Sequence, residues 1–154
     1  MIKKLLCCEK APAVPAIISS DELIEIIKKS LRIKNNIFVA DRNYSLLFEE
    51  DMKKFLKKNT TDAHKYIKEG FDCDDFADVL KGREREWFAL GKYNYGSAFG
   101  TVWGDIRLPE KPDQPRGHAV NFYVNEKKEL WLIEPQNDKL FQLSESSKVT
   151  LVVC

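Results

Sequence analysis

The chain has 154 residues, of which 25 are basic and 24 are acidic, so its formal net charge is +1. This length fits one domain with its own core, and the balanced charge gives no electrostatic reason to expect nucleic acid or a membrane surface as a partner. Hydrophobic residues make up 44% of the chain, which is typical of a globular protein and argues against disorder.

The N-terminal part predicts an extended segment followed by a helix. Residues 1–18 contain two prolines and predict an extended lead-in. Ser19 followed by Glu22 resembles a capping box, and apolar residues then recur at helical spacing. We therefore expect a first helix here, at the start of a single domain that covers residues 19–154.

Three further helices are predicted in the first half of the chain. Apolar and polar residues alternate with helical periodicity at residues 49–57 and, more briefly, at residues 62–68. The third helix is expected to begin at Cys73. Asp72 is a favourable N-cap residue, and Asp75 follows it at the spacing of a capping box with a shorter acid.

The second half predicts strands. Residues 95–104, 118–124, 130–133 and 149–153 carry the alternating, aromatic and β-branched pattern of strands, with a proline-rich loop at residues 108–116. A turn between the second and third of these strands makes them a hairpin. Helices followed by an antiparallel sheet predict an α+β fold, in which the last helix packs on a small antiparallel sheet.

Cys73 is the candidate nucleophile. Cys7, Cys8 and Cys154 lie near the chain ends and are interpreted as incidental thiols, since the cysteines do not form the pattern of a disulfide framework. A helix N-terminus favours an anion, and its backbone N–H groups can contribute to an oxyanion hole. The neighbouring aspartates oppose a thiolate, so we expect activation to depend mainly on pairing with an imidazolium.

His118 and Glu134 are the candidate partners of that thiol. His118 opens an alternating strand directly after a glycine, whereas His64, the other histidine, is interpreted as an ordinary surface or half-buried residue. The hairpin brings Glu134, at the end of the next strand, close to His118. A carboxylate there can accept the imidazole N–H and stabilise the charged ring. Asn137 lies just beyond and is the alternative orienting residue.

Three short motifs resemble those of the transglutaminase-like and papain-like cysteine enzymes. Residues 71–77 resemble a G-x-C-x-D-[FY]-A element, in which Phe71 stands at the glycine position and Asp72 directly precedes the cysteine. Residues 117–119 resemble the start of a G-H-A-W element. Residues 131–135 resemble a W-x-x-x-D-P strand end that is one residue shorter here and has Glu134 in place of aspartate. The tryptophan of the second element is Val120 here. The resemblance covers about half of the chain, residues 70–137.

The resemblance implies a papain/transglutaminase-like fold with Cys73 as nucleophile, His118 as base and Glu134 as orienting acid. It also implies that Trp103 lies near the thiol, in the oxyanion region that includes Asp72. The predicted function is a thiol-dependent hydrolase or acyltransferase that forms an acyl-enzyme on a peptide, protein or cell-wall-type amide. No cofactor is expected. The sequence does not predict an oligomeric state.

Two other functions remain open from the residues. The first is a non-catalytic module on the same fold that binds a peptide or glycan through an aromatic surface; its residues are Tyr93, Tyr95, Phe99 and Trp103. The second is a divalent-cation site built from four aspartates: Asp72, Asp74, Asp75 and Asp78. Helix capping explains these aspartates more simply, and Cys73 with His118 offers too few ligands for zinc.

No signal peptide or membrane-spanning segment is recognised in the sequence. The N-terminal residues include lysines and a short apolar patch, but not the apolar region that a signal peptide requires. We therefore expect a cytoplasmic location, with a virion or host-associated location as the alternative.

Overall fold

The computed structural model describes residues 10–111, 113 and 117–154, and within them three α-helices. They are α1 (Ser20–Leu31), α2 (Glu49–Lys58) and α3 (Cys73–Ala89). Ser19 caps α1 as predicted, because its Oγ accepts the backbone N–H of Glu22 at 3.2 Å. The helix predicted at residues 62–68 is only a 3-10 turn, Thr61–Ala63.

The described strands form two sheets. The strands are β1 (Ile17–Ser19), β2 (Ile37–Phe38), β3 (Asn43–Ser45), β4 (Gly96–Ser97), β5 (Phe99–Asp105), β6 (His118–Val124), β7 (Leu130–Glu134), β8 (Lys139–Phe141) and β9 (Lys148–Val153). The six-stranded sheet has the order β2-β9-β5-β6-β7-β8, and the three-stranded sheet has the order β1-β3-β4.

The register of the central strands places the ends that carry the candidate residues side by side. β6 pairs antiparallel with β5, where His118 lies opposite Gly104. β6 also pairs with β7, where Asn121 lies opposite Ile133. The start of β6 and the end of β7 therefore meet at one edge of the sheet, which brings His118 and Glu134 together.

The large sheet is covered on both faces. On one face, the buried side chains of α1 pack with Val102, Val120 and Phe122. On the other, α2 and α3 pack with Phe99, Tyr123 and Ile133. Because both faces of the sheet are covered, β5 and β6 are almost fully buried, and α3 contacts both strands.

The predicted fold class is wrong about the sheet. The papain/transglutaminase-like α+β arrangement has helices first and a small antiparallel sheet, whereas here the larger sheet has six strands and a second sheet of three strands lies beside it. Two pairings are parallel: β2 with β9 and β3 with β4. Each parallel pairing involves at least one strand of only two or three residues, which pairs with a distant part of the chain. Segments this short show no recognisable alternation in the sequence, so these pairings could not be predicted from it.

Cys154 is buried and its Sγ–H donates to the carbonyl oxygen of Phe99 at 3.2 Å, so it is part of the core and not an incidental terminal thiol. Cys7 and Cys8 lie outside the described residues. β1, at the end of the predicted lead-in, pairs with β3.

No α-helix in the described part of the chain is long and apolar enough to cross a bilayer.

Candidate functional site

Cys73 is the first residue of α3, where the sequence placed it. Asp72 is the N-cap, and Asp75 Oδ2 accepts the backbone N–H of Asp72 at 3.0 Å, which is one half of the predicted capping box. Cys73 is a free thiol and is partly exposed. It therefore lies at a helix N-terminus that favours negative charge, with access to solvent.

His118 and Glu134 form a buried hydrogen-bonded pair. Nε2 of His118 lies 2.6 Å from Oε2 of Glu134, and both residues are at most 5% exposed. The other carboxylate oxygen of Glu134, Oε1, accepts the backbone N–H of Gln136 at 3.2 Å. Because both carboxylate oxygens are engaged, the direction of the imidazole ring is fixed.

Cys73 lies in the same cleft as this pair and interacts electrostatically with the His118 imidazole. Nε2 of the ring is occupied by Glu134, so Nδ1 is the ring nitrogen left to receive a thiol proton. Burial alone lowers the pKa of His118, but hydrogen bonds and charge from Cys73 and Glu134 outweigh it and raise that pKa to about 9. The arrangement therefore favours an imidazolium ring, and it can hold a proton transferred from sulfur.

The aspartates beside Cys73 do not all converge. Asp72, Cys73 and Asp74 each bring one polar atom within 4.8 Å of the others. A hydrogen bond with Asp72, followed by burial, raises the pKa of the Asp74 carboxyl group. Asp75 is committed to the backbone of Asp72, and Asp78 is exposed one turn further along α3. Capping and carboxyl–carboxyl hydrogen bonding thus account for three of the four acids.

An open cleft of about 550 Å³ contains Cys73, His118 and Glu134. Four residues between positions 108 and 113 form one wall: Leu108, Glu110, Lys111 and Asp113. An ion pair of 2.6 Å between Glu110 Oε1 and Lys139 Nζ joins this wall to β8. The polar lining comes from side chains of several chemical types: Tyr66, Lys111, Asp113, Gln136 and Asn137. The cleft therefore offers both hydrogen-bond donors and hydrogen-bond acceptors.

The other predicted residues are distributed differently. Asn137 lines the cleft, but its Oδ1 accepts the backbone N–H of Lys139 at 3.1 Å. The residue that contacts the His118 imidazole is Glu134, not Asn137. Trp103 is partly buried on β5, next to Gly104. Phe99 is fully buried, so the predicted aromatic surface does not form as one patch. Sequence reasoning missed Tyr66 and Gln136, which carry no motif and reach the cleft only through the fold.

Comparison with known proteins identifies agglutinins and lectins. The family model described as Agglutinin C-terminal matches residues 44–140. The structure titled PSL1a-E64 complex has a TM-score of 0.74 and 19% identity, covering 90% of this chain and 51% of that one. The Polyporus squamosus lectin, bound to the human-type influenza-binding epitope Neu5Acα2-6Galβ1-4GlcNAc, has a TM-score of 0.72 and 19% identity, covering 90% and 49%. No single curated protein sequence matches.

These matches correct the earlier assignment. The chain spans about half the length of the solved chains that it matches. The assignment to transglutaminase-like or papain-like cysteine enzymes, with the hydrolase, cysteine-protease and catalytic-triad description that accompanied it, is contradicted by the agglutinin and lectin matches. The motifs behind that assignment are short, and each reflects only a local structural feature: a helix cap, a glycine before a strand and a proline after a strand. The matches favour the alternative of a binding module, and the chain belongs to the Agglutinin C-terminal family.

Proposed function

We propose that this chain is a carbohydrate-binding module and that its ligand occupies the cleft around Cys73, His118 and Glu134. One observation carries the proposal: a chain of the agglutinin family has an open cleft of about 550 Å³ with a mixed polar lining. The Polyporus squamosus lectin, which shares the fold over 90% of this chain, is bound to a sialylated trisaccharide.

The chemistry of the cleft supports a sugar ligand. A cavity of this volume lies within the range of small-molecule sites, roughly 300–1,000 Å³. Sugar hydroxyl groups both donate and accept hydrogen bonds. The amides of Gln136 and Asn137, the Asp113 carboxylate and the Lys111 ammonium group provide both kinds of partner around the opening. Tyr66 adds an exposed aromatic face beside them.

Glycan binding is tested by NMR titration of the isotope-labelled protein with Neu5Acα2-6Galβ1-4GlcNAc and with a panel of its mono- and disaccharide fragments. We expect saturable shifts confined to residues of the cleft. Asn137→Ala should weaken binding about fivefold to tenfold, the cost of one lost hydrogen bond. Asn94→Ala, at an exposed loop position away from the cleft, is the control and should bind as the wild type does. Shifts that map elsewhere, or none with any glycan, would refute the proposal.

A second candidate function is favoured by a specific observation: Cys73 lies in the same cleft as the buried pair of His118 and Glu134. We propose for these residues the roles that their chemistry supports: Cys73 as a nucleophilic thiolate, His118 as the group that holds its proton, and Glu134 as the acid that orients the ring. The buried 2.6 Å contact between His118 and Glu134 and the raised pKa of His118 support these roles.

The nucleophilic role of Cys73 is tested by alkylation with iodoacetamide, a reaction in which the Cys73 sulfur displaces iodide. Peptide mass spectrometry measures the rate of alkylation at each cysteine. We expect Cys73 to be alkylated faster than glutathione at neutral pH, and His118→Gln to slow alkylation at least tenfold. Buried Cys154 is the internal control and should react slowly. If Cys73 reacts no faster than glutathione, this second function fails while glycan binding stands.

A further inference from the structure

Asn121 is a buried polar residue between the helix that carries Cys73 and the strands that lead to His118. It is fully buried in β6. Its Nδ2 lies 2.9 Å from the carbonyl oxygen of Ala77, 3.3 Å from that of Gly100 and 3.4 Å from Thr101 Oγ1. One amide group therefore bonds to α3 and to β5 at the same time.

The position of this amide relates it to the candidate nucleophile and base. Ala77 lies four residues, or one helical turn, after Cys73 in α3. Asn121 lies three residues after His118 in β6. The contact between Nδ2 and Ala77 is thus the hydrogen bond that joins the first turns of the Cys73 helix to the strand of His118.

The amide is used as a donor. Both carbonyl groups can only accept, so they fix the orientation of the side chain with Nδ2 toward them. Oδ1 is buried and has no hydrogen-bond partner among the described residues. An unpaired buried acceptor destabilises the fold, and an apolar side chain of similar shape would avoid it. The hydrogen bonds donated by Nδ2 compensate for the unpaired Oδ1 only if the link that they form between α3 and the sheet has a role of its own.

We propose that Asn121 is a positioning residue that sets the separation between the Cys73 thiol and the His118 imidazole. The inference rests on the proposed nucleophilic role of Cys73. Apolar packing between α3 and the sheet is non-directional and tolerates sliding, whereas a hydrogen bond fixes distance and direction. Asn121 touches neither reacting atom; it acts through the first turns of α3.

The test compares two isosteric substitutions, Asn121→Asp and Asn125→Asp. Asn125 is a matched control because it directly follows β6, is also fully buried, and donates from Nδ2 to Glu129 Oε2 at 2.9 Å. Each substitution removes one buried amide donor and adds a carboxylate. Asn125 is at the other end of β6 from His118, so its loss should affect stability without affecting the thiol.

The measurement is the rate of Cys73 alkylation by iodoacetamide over about pH 5 to 10, together with the thermal unfolding midpoint. Asn121→Asp should slow alkylation at neutral pH by about tenfold or more, because small displacements of reacting groups cost rate steeply. It should also move the midpoint of the rate-against-pH curve upward. Asn125→Asp should lower the unfolding midpoint while leaving the curve within about twofold of wild type.

Two different results would contradict the inference, and the experiment distinguishes them. If both variants lose thermal stability but keep the wild-type alkylation curve, Asn121 is only structural and the inference is wrong. If wild-type Cys73 itself reacts no faster than glutathione, the proposed nucleophile fails first. Should Asn121→Asp not fold, Asn121→Leu removes the same donor without burying a charge, and the same difference in alkylation curves is expected.

Discussion

At the scale of single residues, His118 shows how a buried imidazole keeps its charge. Burial opposes the charged ring, but Cys73 and Glu134 together outweigh that effect and raise the pKa of His118 from 6.5 to about 9. A group whose pKa is raised on folding stabilises the folded state while it is protonated. This contribution is fully present below about pH 6.5 and is lost as the pH rises through 9.

Replacing Glu134 should lower that pKa. In Glu134→Gln the side chain keeps its shape but loses its charge, so the pKa of His118 should fall from about 9 toward 6.5, the ordinary value. The measurement is NMR titration of the carbon-bound imidazole proton of His118 in both proteins. An unchanged His118 titration would mean that Glu134 does not stabilise the imidazolium.

Glu84 is the opposite case, a carboxyl group whose charge is disfavoured. It is fully buried in α3, and burial outweighs the nearby charge of Arg85, raising the pKa of the Glu84 carboxyl group from 4.5 to about 7. The unfolded chain loses this proton at lower pH than the folded chain. Folding is therefore penalised increasingly between about pH 4.5 and 7, and the penalty stays constant at higher pH.

Glu84→Gln should remove this penalty. We expect its free energy of unfolding, relative to wild type, to be higher at pH 8 than at pH 4 by roughly 3 kcal/mol, the value of a shift of this size. Urea denaturation at both pH values measures the difference. A stability difference that does not depend on pH would show that Glu84 is not protonated on folding.

At the scale of elements, the start of α3 depends on a few polar atoms. The capping contact between Asp75 and the backbone N–H of Asp72 satisfies one of the groups that a helix start leaves open. The same few residues place Cys73 at the first helical position. The stability of this turn and the placement of the thiol therefore have a common origin.

Removing the cap should destabilise the protein selectively. Asp75→Ala should lower the free energy of unfolding by about 1 kcal/mol, as expected for a lost N-terminal capping interaction. Asp78→Ala is the matched control, because Asp78 is exposed in the same helix and alanine has the higher helix propensity. Equal effects of the two substitutions in urea denaturation would argue against the capping role.

The elements also show what a sequence can predict. The α1 cap, the start of α3 at Cys73 and the hairpin of β6 and β7 rest on short-range patterns, and each is present. The pairing of β2 with β9 joins residues more than a hundred positions apart, so no local pattern indicates it. Tyr66 and Gln136 reach the cleft for the same reason, through tertiary packing that a motif does not encode.

At the scale of the whole molecule, β9 lies close to β5 where a glycine permits it. A Cβ at Gly104 would lie 2.3 Å from the carbonyl oxygen of Lys148 and 2.8 Å from Cα of Val149. The β5–β9 register shifts between Trp103 and Gly104. Because the neighbouring atoms belong to the backbone, they cannot move without displacing the strand, and the close approach is part of how the sheet is assembled.

Two glycine substitutions test this close approach. Gly104→Ala should destabilise the protein by about 1–3 kcal/mol, as overpacking does. Gly82→Ala, in α3 with no atom within 4 Å of the added Cβ, should leave stability unchanged or raise it by up to about 1 kcal/mol. Thermal and urea unfolding of both variants give the comparison. A stable Gly104→Ala protein would show that the two strands can separate at little cost.

The place of β9 in the sheet also affects the order in which the protein forms. β9 lies between β2 and β5 although it comes last of the described strands. On the ribosome, β2 therefore has no neighbour in this sheet, and β5 has one open edge, until residues 148–153 emerge. The sheet is completed only after residues 148–153 have been translated, so until then the nascent protein depends on whatever shields that open edge from other chains.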